Sequence, residues 1–257
     1  MDKNGIWSED FKIRAFMVDR HKEANLFTIQ NLFQEAASNH AHFHQLGYMD
    51  MQVRGMAWVL NRLKIKIFES PKWMETVTVK TWVSQMQPFS HRHFQITRPL
   101  TESDFALSSS LERQSSELIL ANAYSIWIPI DISTKRPKRL SDDVLPLHQL
   151  AYNCEMPEKL PHTEGGIFSA ERSVHASDLD MLEHVNNVKY VEWILNDFYR
   201  ENKIDKPHFI EINYLSEVLE DSVVQLFVQK NKDEIVYTLK NKADSKEVCR
   251  AKLILQG

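Results

Sequence analysis

The sequence predicts an α+β fold made of two units with one grammar, each a long helix followed by antiparallel strands. Three observations carry this. A helical apolar period opens each half, runs of alternating apolar and polar residues follow it, and a stretch rich in proline and charge separates the two sets. With 257 residues the chain can form one large domain or two of ordinary size. Its 43% hydrophobic and 26% charged residues, with 6 Gly and 9 Pro, are the composition of a globular protein rather than a disordered or fibrous one.

The first helix lies in "LFTIQNLFQEAASNHAHFHQLG", where Leu26, Ile29, Leu32, Phe33 and Ala36 recur at helical spacing and Gly47 is the expected stop. "AWVLNRLKIKIF", "ETVTVKTWVSQ", "HRHFQITRPL" and "SELILANAYSIWIPI" then alternate as half-buried strands do, and the Ser-rich "TESDFALSSSLERQSSE" is expected to be a long surface loop. In the second half, Val188, Val191, Trp193, Ile194, Leu195 and Phe198 form an apolar helix, followed by strands in "HFIEINYL", "DSVVQLFVQK", "EIVYTLKNK" and "EVCRAKLILQG". "FESPKWMETVTV" from Phe68 lines up with "YLSEVLEDSVVQ" from Tyr214, setting Glu75 on Asp221, Thr76 on Ser222 and Val77 on Val223, as a duplication would. Each sheet must bury one face, and one long helix wrapped by it does so economically. Pro137, Pro146, Pro157 and Pro161 mark the stretch between the halves. The units are accordingly residues 1–134 and 166–257, with a linker at 135–165.

A formal net charge of −4 argues against a general nucleic-acid binder, which needs an excess of Lys and Arg. No stretch approaches the roughly 20 apolar residues of a membrane span. "MDKNGIWSEDFKIRAF" has neither an apolar signal core nor an Arg- and Ser-rich leader, so the expectation is a cytoplasmic chain that starts close to its fold. The two cysteines, Cys154 and Cys249, have no metal or CxxC spacing and are expected to be free thiols in a reducing compartment. His40 and His44, four apart on a helix, share a face, but no third ligand is evident and no metal is expected.

Residues 175–194, "HASDLDMLEHVNNVKYVEWI", gather carboxylates, histidines and an asparagine pair at the start of the second helix. Together with "FKIRAF", "QEAASNHA", "AWVLNRLKIKI", "PKWMETVTVKTWV", "ANAYSIWIPID" and "KRPKRLSDDV", this stretch resembles the acyl-[acyl carrier protein] thioesterases, the plant plastid enzymes and their bacterial relatives. The likeness covers nearly the whole chain. It implies a tandem double hot-dog fold, an N-terminal unit that lines the acyl tunnel and sets chain-length choice, and a catalytic C-terminal unit. The implied reaction is hydrolysis of fatty acyl-acyl carrier protein to free fatty acid, without a cofactor, with acyl carrier protein as partner and a homodimer left open. The family motif, Asp-x-Asn-x-His with a Glu on the strand after the helix, falls on Asp180, His184 and Glu217. Leu182 stands at the Asn position.

Thioester hydrolysis needs an attacking water, a base and donors for the developing oxyanion. Glu217 is expected to be the base or water-orienting group, its pKa raised by an apolar tunnel. His184 would position the water or shuttle a proton, with Asp180 fixing its tautomer and ring orientation. A helix beginning near Asn186 or Asn187 would offer the Asn187 and Val188 N–H groups to the oxyanion, and Asn186 is a further source for the amide that Leu182 lacks. Val218 stands where the family often has a cysteine, so water is the expected nucleophile. Lys135, Arg136, Lys138 and Arg139 form a basic patch suited to docking an acidic carrier. The first half has no Asp-x-x-x-His run in the matching place, Asp19 and His21 having the wrong spacing, so one site per chain is expected. A coenzyme A thioesterase and a catalytically weak acyl-binding protein are the alternatives.

Overall fold

Ten strands join into one antiparallel sheet: β1 (Trp7–Lys12), β2 (Met56–Ile67), β3 (Thr76–Gln85), β4 (Ser90–Pro99), β5 (Glu117–Asp131), β6 (Ile167–Ser173), β7 (Pro207–Tyr214), β8 (Val223–Lys230), β9 (Glu234–Asn241) and β10 (Glu247–Leu255). The computed structural model describes residues 5–102, 104, 116–140, 155–162, 166–201, 206–231 and 234–255. The strand order, β1-β3-β4-β5-β2-β7-β10-β9-β8-β6, repeats strand for strand about the β2–β7 seam. There Ile65 lies opposite Ile210 and Leu63 opposite Ile212, so one apolar face runs unbroken through both halves.

Helix α1 (Leu26–Phe43) is capped by the Asn25 side chain, which accepts from the Thr28 N–H, and buries Ile29, Leu32, Phe33 and Ala36. It packs on β1, β2, β3 and β7. The second-half helix (Asn187–Glu201), here α3, buries Val188, Val191, Trp193, Ile194, Leu195 and Phe198 and touches α1 and β6. Gly47 does not end α1. The chain turns at Gln45, whose φ is 58°, and Gly47 begins a short helix α2 (Tyr48–Val53). Glycine eases the close approach there, because a Cβ would sit 3.0 Å from the His42 Cα.

Strands β1 and β6 were not expected from the sequence. Both are sheet edges with partly exposed residues and charged side chains, so neither shows a clean apolar alternation. The duplication also has a different register from the sequence alignment. Ile13 N–H bonds the Glu75 carbonyl as Val174 N–H bonds that of Ser222, and Met74 and Asp221 share a positive φ, which pairs Glu75 with Ser222 rather than Asp221.

Parts of the stretch between the halves are tied to the sheet. Asp131 N–H donates to the Arg136 carbonyl and Lys138 N–H to that of Pro129, folding residues 135–138 back along β5. Residues 155–162 lie over the seam on the face away from α1. Asn213 accepts from the Leu160 N–H at 2.8 Å and donates to the Glu158 carbonyl at 3.0 Å, and Arg250 donates to the Leu160 carbonyl at 2.9 Å. Beneath this segment the Glu211 carboxylate is nearly inaccessible and pairs with Lys64 and Lys252, so the buried charge is met from both neighbouring strands. Cys249 is a free, buried thiol whose pKa burial pushes well above its ordinary value. Cys154 and most of the Ser-rich stretch lie outside the described residues.

Candidate active site

A 3-10 turn, Ala176–Asp178, leads into the loop that carries Asp180 and His184. The Asp180 Oδ1 accepts from the Leu182 N–H at 2.8 Å and the His184 N–H at 3.3 Å. The loop is closed by Asp180 N–H donating to the His184 carbonyl at 2.8 Å, with Glu183 at a positive φ of 61°. The carboxylate thus holds the His184 backbone, and no hydrogen bond joins it to the imidazole ring, contrary to the expected tautomer-setting contact. The first half repeats the loop without the chemistry. Asp19 Oδ1 accepts from the His21 and Glu23 N–H groups, Asp19 N–H donates to the Glu23 carbonyl, Lys22 has φ 63°, and Asn25 caps the helix. Glu23 therefore occupies the His184 position, and by the same superposition Ser70 occupies that of Glu217.

Glu217 follows β7, in the segment whose Val218 carbonyl accepts from the Val185 N–H at 2.9 Å. That bond holds the two segments together and sets His184 Nε2 3.3 Å from Glu217 Oε2. Glu217 is not enclosed by apolar walls as expected. Its side chain is 38% exposed, and Lys135 Nζ lies 3.3 Å from each of its carboxylate oxygens. Lys135 reaches the site from the turn that follows β5, at a positive φ of 56°, and Lys138 pairs with Asp131 at 3.0 Å. Lys135 and Lys138, both expected to belong to a docking patch, are therefore engaged within the chain.

Asn186 ends the loop, its N–H donating to the Asp178 carbonyl at 2.8 Å. Its side-chain oxygen accepts from the Val188 N–H at 3.3 Å, so that N–H is occupied as a helix cap and is not a free oxyanion donor. The Asn187 N–H has no hydrogen-bond partner among the described residues and remains the first-turn donor. The Tyr214 hydroxyl fixes this helix start, donating to the Asn187 carbonyl at 3.1 Å and accepting from Gln30 of α1 at 3.0 Å. Burial raises the Tyr214 pKa well above 10, keeping the phenol a donor.

A cavity of about 310 Å³ opens beside this loop. Asp180, Met181, Leu182, Asn186 and Asn187 close one side of it, and first-half residues, mostly from α1, α2 and the strands β2 to β5, form the rest, including Gln34, Met51, Trp58 and Met86. His184 and Glu217 stand outside its wall. Tyr48 of α2 spans the halves, donating its hydroxyl to the Met181 carbonyl at 3.0 Å. Neither Tyr48 nor the turn of Lys135 toward Glu217 was legible in the sequence, because each contact joins residues far apart in the chain. His40 and His44 stack edge to face 4.7 Å apart, and among the described residues no cluster of three or more His, Cys, Asp or Glu gathers as metal ligands would.

Residues 5–147 match the Acyl-ACP thioesterase N-terminal domain and residues 164–256 the Acyl-ACP thioesterase C-terminal domain. The chain is 27% identical to oleoyl-acyl carrier protein thioesterase 2, chloroplastic, of Arabidopsis thaliana, with 93% of this chain and 67% of that protein covered. It is likewise 27% identical to dodecanoyl-[acyl-carrier-protein] hydrolase, chloroplastic, of Cinnamomum camphora, covering 86% of this chain and 58% of the relative. The chain thus spans roughly three fifths to two thirds of the length of these relatives. An acyl-ACP thioesterase structure from Bacteroides thetaiotaomicron superposes with TM-score 0.84 at 24% identity, covering 99% of each chain. The 12:0-ACP thioesterase of Umbellularia californica superposes with TM-score 0.77 at 20% identity, covering 98% of this chain and 97% of that one. The shared architecture is the hot-dog fold, a long helix wrapped by an antiparallel sheet, present here twice. Among the described residues no helix is long and apolar enough to cross a membrane.

Proposed function

From the premise that this chain belongs to the acyl-ACP thioesterase family, we propose that it hydrolyses the thioester between a fatty acyl chain and acyl carrier protein, releasing free fatty acid in fatty acid biosynthesis. The observation that carries this is the His184–Glu217 pair, 3.3 Å apart at the end of a loop that also walls the cavity. His184 orients the attacking water, Glu217 takes its proton and hands it across the 3.3 Å contact to His184 Nε2, and His184 gives it to the departing thiolate as the tetrahedral intermediate collapses. The Asn187 N–H, at the positive end of α3, faces the charge developing on the carbonyl oxygen. Asp180 acts one step back, through the backbone that carries His184.

The first-half cavity takes the acyl chain, and its apolar wall at Met51, Trp58 and Met86 supports an assignment of chain-length choice to that half. Lys135, the first residue of the basic run Lys135–Arg139, pairs with Glu217, so an acidic carrier docked on that run would present its thioester next to the site. Leu182 lies on the cavity wall where the family motif has an amide, and this specific departure favours, as a second possibility, an acyl-binding protein with little turnover. Incubating the purified protein with acyl carrier protein and with coenzyme A loaded with chains of several lengths tests all three. Thiol release fastest from the carrier protein supports the proposal, faster release from coenzyme A reassigns the carrier, and saturable binding without hydrolysis overturns the enzyme.

A further inference from the structure

Resting on the proposal that the cavity receives an acyl chain, we propose that it carries a polar subsite at Arg92, which takes a chain bearing an oxygen function far from the thioester. Arg92 lies on β4, is 9% exposed and lines the cavity. Its Nη1 donates to His40 Nδ1 at 2.9 Å and to Thr81 Oγ1 at 3.3 Å, both neutral acceptors. Among the described residues no carboxylate pairs with it. The two carboxylates on the cavity wall are occupied elsewhere, Glu35 with Asn39 and Asp180 with its own loop amides.

A buried guanidinium is costly unless it is paired, and Arg92 remains a cation at neutral pH even though burial lowers its pKa to about 10. A plain hydrocarbon passing it gives no compensation. A hydroxyl or carboxylate supplies a further acceptor beyond His40 and Thr81, both of which are met by Nη1, and a carboxylate supplies the missing charge as well. Ser90, two residues earlier on the same strand, lines the cavity too and donates only to the Met86 sulfur at 3.4 Å, a weak acceptor that an oxygen would displace. Strand β4 lies three strand spacings from β7, about 14 Å along the sheet, and Glu217 lies just beyond β7. The oxygen is therefore expected near the distal end of the chain, not at the carbons beside the thioester.

The test compares acyl carrier proteins loaded with plain, ω-hydroxy and ω-carboxy chains of equal carbon count. The wild type is expected to favour at least one oxygenated chain over the plain one by about tenfold or more in kcat/KM. The hydroxy and carboxy arms tell a neutral from an ionised acceptor. Arg92→Met is expected to abolish that ratio, and Arg92→Lys, which keeps a cation, to retain part of it. A wild-type preference for the plain chain, or equal loss on all three chains in Arg92→Met, overturns the subsite. Should no loaded carrier be hydrolysed, the proposed function falls. Calorimetric binding of the corresponding methyl esters, whose thioester-side end carries no charge, to wild type and Arg92→Met then decides the subsite alone, the same ratios being expected in Kd and their absence overturning it.

Discussion

Replacing Asp180 by Asn and by Ala separates two roles that one carboxylate can play. Its Oδ1 accepts from the backbone of Leu182 at 2.8 Å and of His184 at 3.3 Å, and Asp19 repeats this in a half that carries Glu23 in place of His184. An asparagine oxygen of the same shape accepts both bonds and gives up only the charge assistance, about 1 kcal/mol in all. Asp180→Asn is therefore expected to keep kcat within about tenfold of wild type. Alanine removes both acceptors. At the low end of about 1.5–3 kcal/mol per bond to a charged group, suited to a part-buried loop, the loss is about 3 kcal/mol. That corresponds to a Tm lower by roughly 6–12 °C for a chain of this size. Releasing the loop also misplaces His184, which costs about a hundredfold or more in kcat. Thermal unfolding and steady-state hydrolysis of both variants are the assays. Were Asp180 instead to select the His184 tautomer, asparagine would cost on the order of 10⁴ in kcat, as at a triad aspartate. Equal losses in Asp180→Asn and Asp180→Ala would refute the backbone role.

Other substitutions test the rest of the site. His184→Ala and Glu217→Gln are each expected to lower kcat by at least about 10²-fold with unchanged circular dichroism, and a near-normal rate in either removes that residue from the chemistry. Leu182→Asn is expected to raise kcat, by up to about 10²- to 10³-fold if its amide meets the oxyanion, as pre-steady-state release of acid would report. Tyr48→Phe removes the bond to Met181 and is expected to cost about 1 kcal/mol, read as a rise in KM of several fold. Burial holds His93, stacked on Trp82, down at about 4 from an ordinary 6.5, with His91 adding to the effect. The folded protein thus keeps this ring neutral where the unfolded chain protonates it. Its contribution is intact above pH 6.5 and is lost as pH falls from about 6.5 to about 4, by about 3 kcal/mol. Tm measured against pH should be flatter over that window in His93→Gln, and an unchanged slope would exclude His93 as its source.

The central elements were legible because their signals are local. The apolar period of Leu26, Ile29, Leu32 and Phe33 and the alternation in β2 to β5 and β7 to β10 follow from one face of each element meeting the core. Strands β1 and β6 escaped because an edge strand needs no strict alternation. Gly47 was misplaced because glycine serves both a helix stop and a close approach, and only the neighbouring His42 backbone tells them apart. At the site, the pattern of Asp180, His184 and Glu217 pointed to the segments that the fold brings together. Their partners did not show, since Lys135 reaches Glu217, and Tyr48 reaches Met181, only once the two halves share a sheet. The capping of Val188 by Asn186 was within reach of the sequence, because an asparagine directly before a helix commonly accepts from its first turn.

The most direct measurement is the initial rate of thiol release from fatty acyl-acyl carrier protein by the purified wild type and Glu217→Gln, at matched concentration and near neutral pH. The proposed mechanism predicts catalytic turnover by the wild type, with equimolar free fatty acid, and a rate at least about 10²-fold lower in Glu217→Gln. Stoichiometric binding without turnover in the wild type, or equal rates in both proteins, would contradict it.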